Sequence, residues 1–148
     1  MPDRTFRPKE SAALLAAREQ AYLTAIEVML FQTITPDETT TLATLVANEA
    51  TFDGYARTVV PVALPITASL GATAFLILSN VMASFIYGPA GSPPIVNTCT
   101  GMAILQKTAV GPPAVFAVYN VTVFDGTGIP MGNVGDIIEK VLSQVIGN

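Results

Sequence analysis

At 148 residues the chain is the size of one domain, long enough to bury roughly two-thirds of its unfolded surface. Apolar residues make up 51% and charged residues only 12%, a charged share well under the norm that points toward extensive contact with other subunits. The net charge is −4 and no basic cluster exists beyond Arg4, Arg7 and Lys9, which argues against nucleic acid as a partner. The single cysteine, Cys99, excludes an intrachain disulfide framework.

Residues 1–22 read as an N-terminal arm with a short helix, and residues 23–148 as one β-sandwich domain. Seven of the charged residues fall in the first twenty positions: Asp3, Arg4, Arg7, Lys9, Glu10, Arg18 and Glu19. Met1 to Arg7 has no core-forming pattern. Pro8 then opens a helix-favouring segment, Lys9 to about Tyr22, rich in Ala, Leu, Arg, Glu and Gln. No secretion signal is visible, so synthesis in the cytoplasm is the expectation.

From Leu23 the pattern becomes β-like. Leu23 to Phe31 is apolar and partly β-branched, and Thr35-Pro36-Asp37-Glu38 supplies turn chemistry. Leu42 to Val46 is a short apolar piece whose type the sequence leaves open. Arg57 to Leu64 reads as a strand that Pro61 and Pro65 confine to an edge or a bulge. Phe75 to Tyr87, the most apolar run, reads as two strands or one long bent strand. Gly88 to Pro94 is a loop, Asn97 to Gln106 and Ala114 to Phe124 are strands, and Asp125 to Gly135 is turn-forming. Short strands punctuated by Gly and Pro predict an all-β, antiparallel, jelly-roll-like sandwich. The C-terminal segment is ambiguous. Ile137, Ile138, Val141, Leu142 and Val145 recur at helical spacing and Asp136 with Glu139 resembles a capping box, whereas the likeness described below favours a strand.

Between Arg57 and Lys107 the 49 residues Thr58–Gln106 carry no charge. Such a stretch lies either in lipid or under protein on both faces. Ala68 to Tyr87 is long enough to span a bilayer as a helix. Against a span stand Ser69, Thr73, Ser79, Asn80 and Ser84, whose polar groups need partners in hydrocarbon, and the lack of basic anchors at the flanks. Protein cover is the better reading.

Nothing in the chain assembles a reaction centre. There is no histidine, so Ser-His-Asp and Cys-His constellations are impossible and zinc lacks its usual ligands. Cys99, in Thr98-Cys99-Thr100, reads as a buried inert thiol. Asp37 and Glu38 read as turn residues. Glu49 and Asp53 do not supply the six or more oxygens that calcium takes. Asp125-Gly126-Thr127-Gly128 reads as a turn, since no helix start or Lys follows. The sequon Asn120-Val121-Thr122 sits inside a predicted strand. The expectation is therefore a protein that is not an enzyme, with no catalytic, cofactor-binding or metal-binding residues and no cofactor. The Phe residues at 75, 85, 116 and 124 read as core.

One segment carries a resemblance. Met29-Leu30-Phe31-Gln32, Ile34-Thr35-Pro36-Asp37-Glu38-Thr39 with Leu42, and Glu49-Ala50-Thr51-Phe52-Asp53-Gly54-Tyr55-Ala56 together resemble the "LFxNxxTPxxxT…L…EATFxGYA" opening of small β-sandwich virion proteins of tailed bacteriophages. Further on, Ser84-Phe85-Ile86 and Thr100 to Leu105 are similar to paired strands of that group, and Gly135-Asp136 to its turn before the last strand. Members often carry "YGYxV" where this chain has Thr100-Gly101-Met102-Ala103. The resemblance implies a virion protein made in the host cytoplasm, foremost a minor capsid, cement or decoration protein. Its implied partners are the major capsid protein and copies of itself, a trimer being one arrangement, with neither membrane nor nucleic acid. In that reading Met1 to Tyr22 reaches a neighbouring subunit. A tail or adsorption protein presenting Gly88–Pro94 and Asp125–Gly135 to a receptor is the alternative, and a small membrane protein a distant one. Within the motif, Phe52 is expected to anchor in the core, Gly54 to take a backbone geometry closed to other residues, and Tyr55 to bury its ring while its hydroxyl finds a backbone partner.

Overall fold

The computed structural model describes residues 26–60, 67–70, 74–109 and 115–147. The arm and helix expected over residues 1–22, and Pro61 and Pro65, lie outside the described residues. The elements are β1 (Ile26–Gln32), α1 (Leu42–Ala47), β2 (Thr58–Val60), β3 (Thr67–Leu70), β4 (Ala74–Ile86), β5 (Asn97–Ala109), β6 (Val115–Val123), β7 (Ile129–Met131) and β8 (Ile137–Gly147).

All pairings are antiparallel, in two sheets. The larger runs β2-β1-β5-β6, with β7 also on β5, and the smaller runs β3-β4-β8. The result is the all-β, sandwich-like fold that the strand pattern predicts. β2 is an edge strand, as its following prolines require. Its Thr58 hydroxyl donates to the Ser84 carbonyl of β4 at 3.3 Å, which joins the two sheets at one margin.

β1 and β5 are apolar on consecutive residues because each is covered on both faces. Toward the smaller sheet, Ile26, Val28 and Leu30 of β1 and Met102 and Ile104 of β5 pack with Ala83, Phe85, Ile138 and Leu142. On the opposite face, Met29, Phe31, Ala103 and Leu105 pack with Leu45 of α1. Gly101 fits there because a Cβ would run into the Phe31 ring and the Thr122 carbonyl. A register shift beside Phe31 and Gln32 lets Cys99 share the inner face with Met102, although they stand three positions apart, an odd spacing that would otherwise put them on opposite faces. Phe85 and Phe124 are buried and Phe116 packs partly buried beneath α1; Phe75 lies in β4.

Two open questions of type are resolved. Leu42 to Val46 belongs to a helix, started by the Thr41 hydroxyl accepting from the Thr44 N–H at 3.3 Å. The C-terminal segment is a strand. Its helical spacing arises because both faces of β8 carry apolar side chains: Ile138 and Leu142 point inward while Ile137 and Val141 are exposed. Asp136 does not cap a helix; its Oδ2 accepts from the N–H groups of Gly132 and Asn133 in the preceding turn. The apolar run from Phe75 is one strand with a register shift between Leu78 and Met82. Thr67–Leu70 and Ala74–Ile86 being strands, the stretch Ala68 to Tyr87 does not form a spanning helix, and no helix among the described residues is long and apolar enough to cross a membrane.

Candidate functional site

The segment Glu49–Arg57 lies where the β1 edge would otherwise be bare. β2 covers β1 only from Ile26 to Val28. Beyond that point the motif takes over: the Ala50 N–H donates to the Leu30 carbonyl at 2.9 Å, and the Gln32 N–H donates to the Asn48 carbonyl at 2.9 Å. The Leu30 N–H is received by the Tyr55 hydroxyl at 3.1 Å. Tyr55 then donates to Glu49 Oε1 at 2.8 Å. The backbone partner expected for Tyr55 is thus the edge of a central strand, whose unpaired groups would be costly to leave open.

Glu49 is the hub of a small ionic cluster. The Arg57 guanidinium grips it with two hydrogen bonds, Nε to Oε1 at 2.8 Å and Nη2 to Oε2 at 2.7 Å, and turns a third donor to Glu27 at 3.1 Å. Burial opposes ionisation of Glu49, but its bonds from Arg57 and Tyr55 outweigh burial and hold the carboxyl below its usual range. The bonds to Glu49 keep Arg57 charged throughout. Burial raises the Tyr55 phenol far above its ordinary value. Near neutral pH Glu49 and Arg57 therefore stay ionised and Tyr55 stays protonated.

The next residues form a second joint. Phe52 is buried against the rings of Tyr55 and Tyr87, at centroid distances of 5.3 and 6.1 Å. The Phe52 carbonyl accepts from the Tyr55 N–H at 2.9 Å, closing a turn whose third residue, Gly54, has φ +84°. That is the position at which a type II turn calls for glycine. Space reinforces the demand, since a Cβ on Gly54 would collide with the Gly88 carbonyl oxygen. Asp53 reaches across to the Gly88–Pro94 loop, its Oδ2 accepting from the Gly91 and Ile95 N–H groups at 2.7 and 2.9 Å and from the Tyr87 hydroxyl at 3.2 Å. These donors, the Gly91 N–H foremost, hold the Asp53 carboxyl below its usual range. Tyr87 is in turn tied to the last turn, its N–H donating to the Asp136 carbonyl at 2.9 Å. Glu49 and Asp53 therefore serve separate joints and do not converge on a cation.

Elsewhere, Asp37 closes its turn by accepting from the Thr39 N–H and hydroxyl at 2.9 and 2.7 Å. Cys99 is fully buried and burial pushes its thiol up to about 11, which makes it unreactive at neutral pH. Among the described residues no group of His, Cys, Asp or Glu is placed to hold a metal ion. Asp125 to Gly128 forms a turn leading into β7, and Asn120 stands on β6. One feature escaped sequence reading. Thr33 has φ +64°, unusual for a β-branched residue, and borders an open groove of about 510 Å³ lined also by Gln32, Asn97, Thr98, Met131 and Asn133. Its amides are already engaged in the fold, Asn97 Oδ1 accepting from the Thr51 N–H and Gln32 Nε2 donating to the Glu49 carbonyl at 3.4 Å.

The surface is more telling than any cleft. Large aliphatic side chains stay open on the outer faces of both sheets, including Val59, Val121 and Val123 on the larger and Met82, Ile86, Ile137 and Val141 on the smaller. Comparison with protein-family models, with curated proteins and with solved structures gave no match.

Proposed function

We propose that this chain is a structural protein of a bacteriophage virion, a capsid cement or decoration protein that strengthens the shell through subunit–subunit contacts. The observation that carries the reading is the open aliphatic surface on the outer faces of both sheets, in a chain whose motif residues are occupied in holding its own loops. Apolar, weakly charged surfaces of this kind suit persistent contacts with the major capsid protein and with further copies of the chain. The resemblance of Glu49–Ala56 to the phage group supplies the setting. The mechanism is adhesion, in which burial of apolar area across a seam between subunits adds binding free energy without any chemical step.

The test is stoichiometry in purified particles. A cement protein occurs in copies comparable in number to the major capsid protein. Copies amounting to a small fraction of it would overturn the cement role and favour the tail or adsorption alternative, for which the uncharged groove beside Asn133 offers a contact surface. Absence from particles would overturn both.

A further inference from the structure

We propose that two copies of the chain pair edge to edge through β6, antiparallel about a two-fold axis at Thr122, so that the larger sheet runs on across a dimer. The inference concerns copies of this chain alone and does not depend on a virion setting.

An open strand edge is a row of unmet N–H and C=O groups, and proteins shorten, charge or cover such edges. Among the described residues every other edge is treated in one of those ways. β2 and β7 have three residues each, Pro130 among those of β7, and β3 has four. The part of β1 beyond β2 is closed by Asn48, Ala50 and Tyr55. β8 is long but carries Glu139 and Lys140. β6 differs. It ends the larger sheet, and its nine residues, VFAVYNVTV, include no charge, no proline and no glycine.

The register shows which backbone groups are open. The Phe124 N–H donates to the Thr100 carbonyl at 2.9 Å, and Thr122 and Asn120 pair with Met102 and Ile104. Asn120, Thr122 and Phe124 therefore turn their backbone groups toward β5, and by alternation Val121 and Val123 turn theirs away. Among the described residues no strand lies on that side of β6. A register shift leaves Tyr119 without a partner on β5, and this bulge and the turn at Asp125 bound the regular edge.

Symmetry selects a second copy as the occupant. Val121-Thr122-Val123 reads the same in both directions. A two-fold at Thr122 sets Val121 opposite Val123 of the second copy and Val123 opposite its Val121, as an isologous contact requires. Both are hydrogen-bonded pairs, which gives four N–H to C=O bonds, and Thr122 meets its own copy in the closer, non-hydrogen-bonded position. No like charges meet, since Asp125 comes to lie about 20 Å from its copy along the strands. The outer faces stay open. Val121 and Val123, 36% and 46% exposed, stand opposite Ala103 and Gly101 on the face that holds α1, so the dimer lays four valines side by side in one wider apolar strip.

Sedimentation and directed crosslinking of the full chain test the proposal, and neither readout involves a particle. The weight-average mass is expected to rise toward that of two chains as concentration is raised from about 10 µM to about 1 mM, the behaviour of a small, weak interface. Val121→Lys, at an exposed position, is expected to weaken association at least about tenfold by charging the edge. Val123→Glu is expected to do the same, and mixing the two variants to restore pairing, because the new cation then faces the new carboxylate. Thr122→Cys supplies a second measurement, with the buried Cys99 kept. Its thiol meets its copy at the axis, where the Cα atoms are about 4.5 Å apart and within disulfide reach. Ala117→Cys, on the same strand, stands about 30 Å from its copy. Under mild oxidation Thr122→Cys is expected to give the linked dimer at least about tenfold faster. A mass that stays at one chain up to about 1 mM, a trimeric end point, association indifferent to Val121→Lys, or equal crosslinking at positions 122 and 117 would each overturn the proposal.

Discussion

Two side chains and one missing side chain decide the local geometry of the motif. Gly54 combines φ +84° with a site where a Cβ would strike the Gly88 carbonyl, so neither backbone nor space admits another residue. Gly54→Ala is expected to cost about 3 kcal/mol or more, read as a lower urea midpoint in chemical unfolding. Tyr55→Phe keeps the ring against Phe52 and Phe85 but removes the oxygen that receives the Leu30 N–H. That donor belongs to a fully buried residue, and leaving it unmet is expected to cost about 1–3 kcal/mol. An unchanged midpoint for Tyr55→Phe would show that water or a backbone shift replaces the hydroxyl. Sequence reading reached Phe52, Gly54 and Tyr55 correctly because each has a residue-specific physical demand. It could not reach the Glu49–Arg57–Glu27 cluster, whose third member lies 30 residues from Arg57 and is adjacent only through strand pairing.

At the level of elements, α1 is what makes β1 and β5 tolerable as nearly uninterrupted apolar strands. Its Leu45 is fully buried on the outer face of the larger sheet with Met29, Phe31, Ala103 and Leu105. Leu45→Ala is expected to cost about 2–5 kcal/mol through lost transfer and a residual cavity, measured as a fall in unfolding midpoint. A loss under about 0.5 kcal/mol, the range of ordinary surface substitutions, would mean the helix does not seal that face. Six residues of LATLVA are too few for a periodic signal, which is why the helix was not legible. The opposite ambiguity affected β8. Apolar residues on both faces of a strand fall at positions 137, 138, 141 and 142, and that spacing also fits one face of a helix. Only the partner strand β4 distinguishes the two.

For the molecule as a whole, the uncharged stretch Thr58–Gln106 divides into two kinds of burial. Its β5 portion is internal, with Met102 and Ile104 facing the smaller sheet and Ala103 and Leu105 facing α1. Its β4 portion buries Ala83 and Phe85 but leaves Met82 and Ile86 open, so the two sheets do not cover that face. Composition signalled the need and could not separate the two. Several of the charges, Glu49 with Arg57, Asp37, Asp53 and Asp136, sit at joints, which sets how stability responds to pH. Glu49, Asp37, Asp53 and Asp136 all have folded carboxyls depressed below their reference values of 4.5 for Glu and 3.8 for Asp. A depressed carboxyl contributes stability that is present above the unfolded value and lost as pH falls through the folded one. Glu49 should dominate, because it is the least exposed member of an ion pair, while solvent screens the three aspartates. On the alkaline side the signs reverse. Cys99 is raised from 9.0 to about 11 and Tyr55 above 10.0, so the unfolded chain ionises first and stability falls as pH rises past 9.0. With no histidine in the chain, no side chain has an ordinary pKa between these limits. Urea midpoints measured across pH are therefore expected to be flat from about pH 5 to 8, to fall below 4.5 as the Glu49 joint is protonated, and to fall again above 9.0. A midpoint that rises as pH drops from 5 toward 3 would show that the Glu49–Arg57 pair does not support the fold.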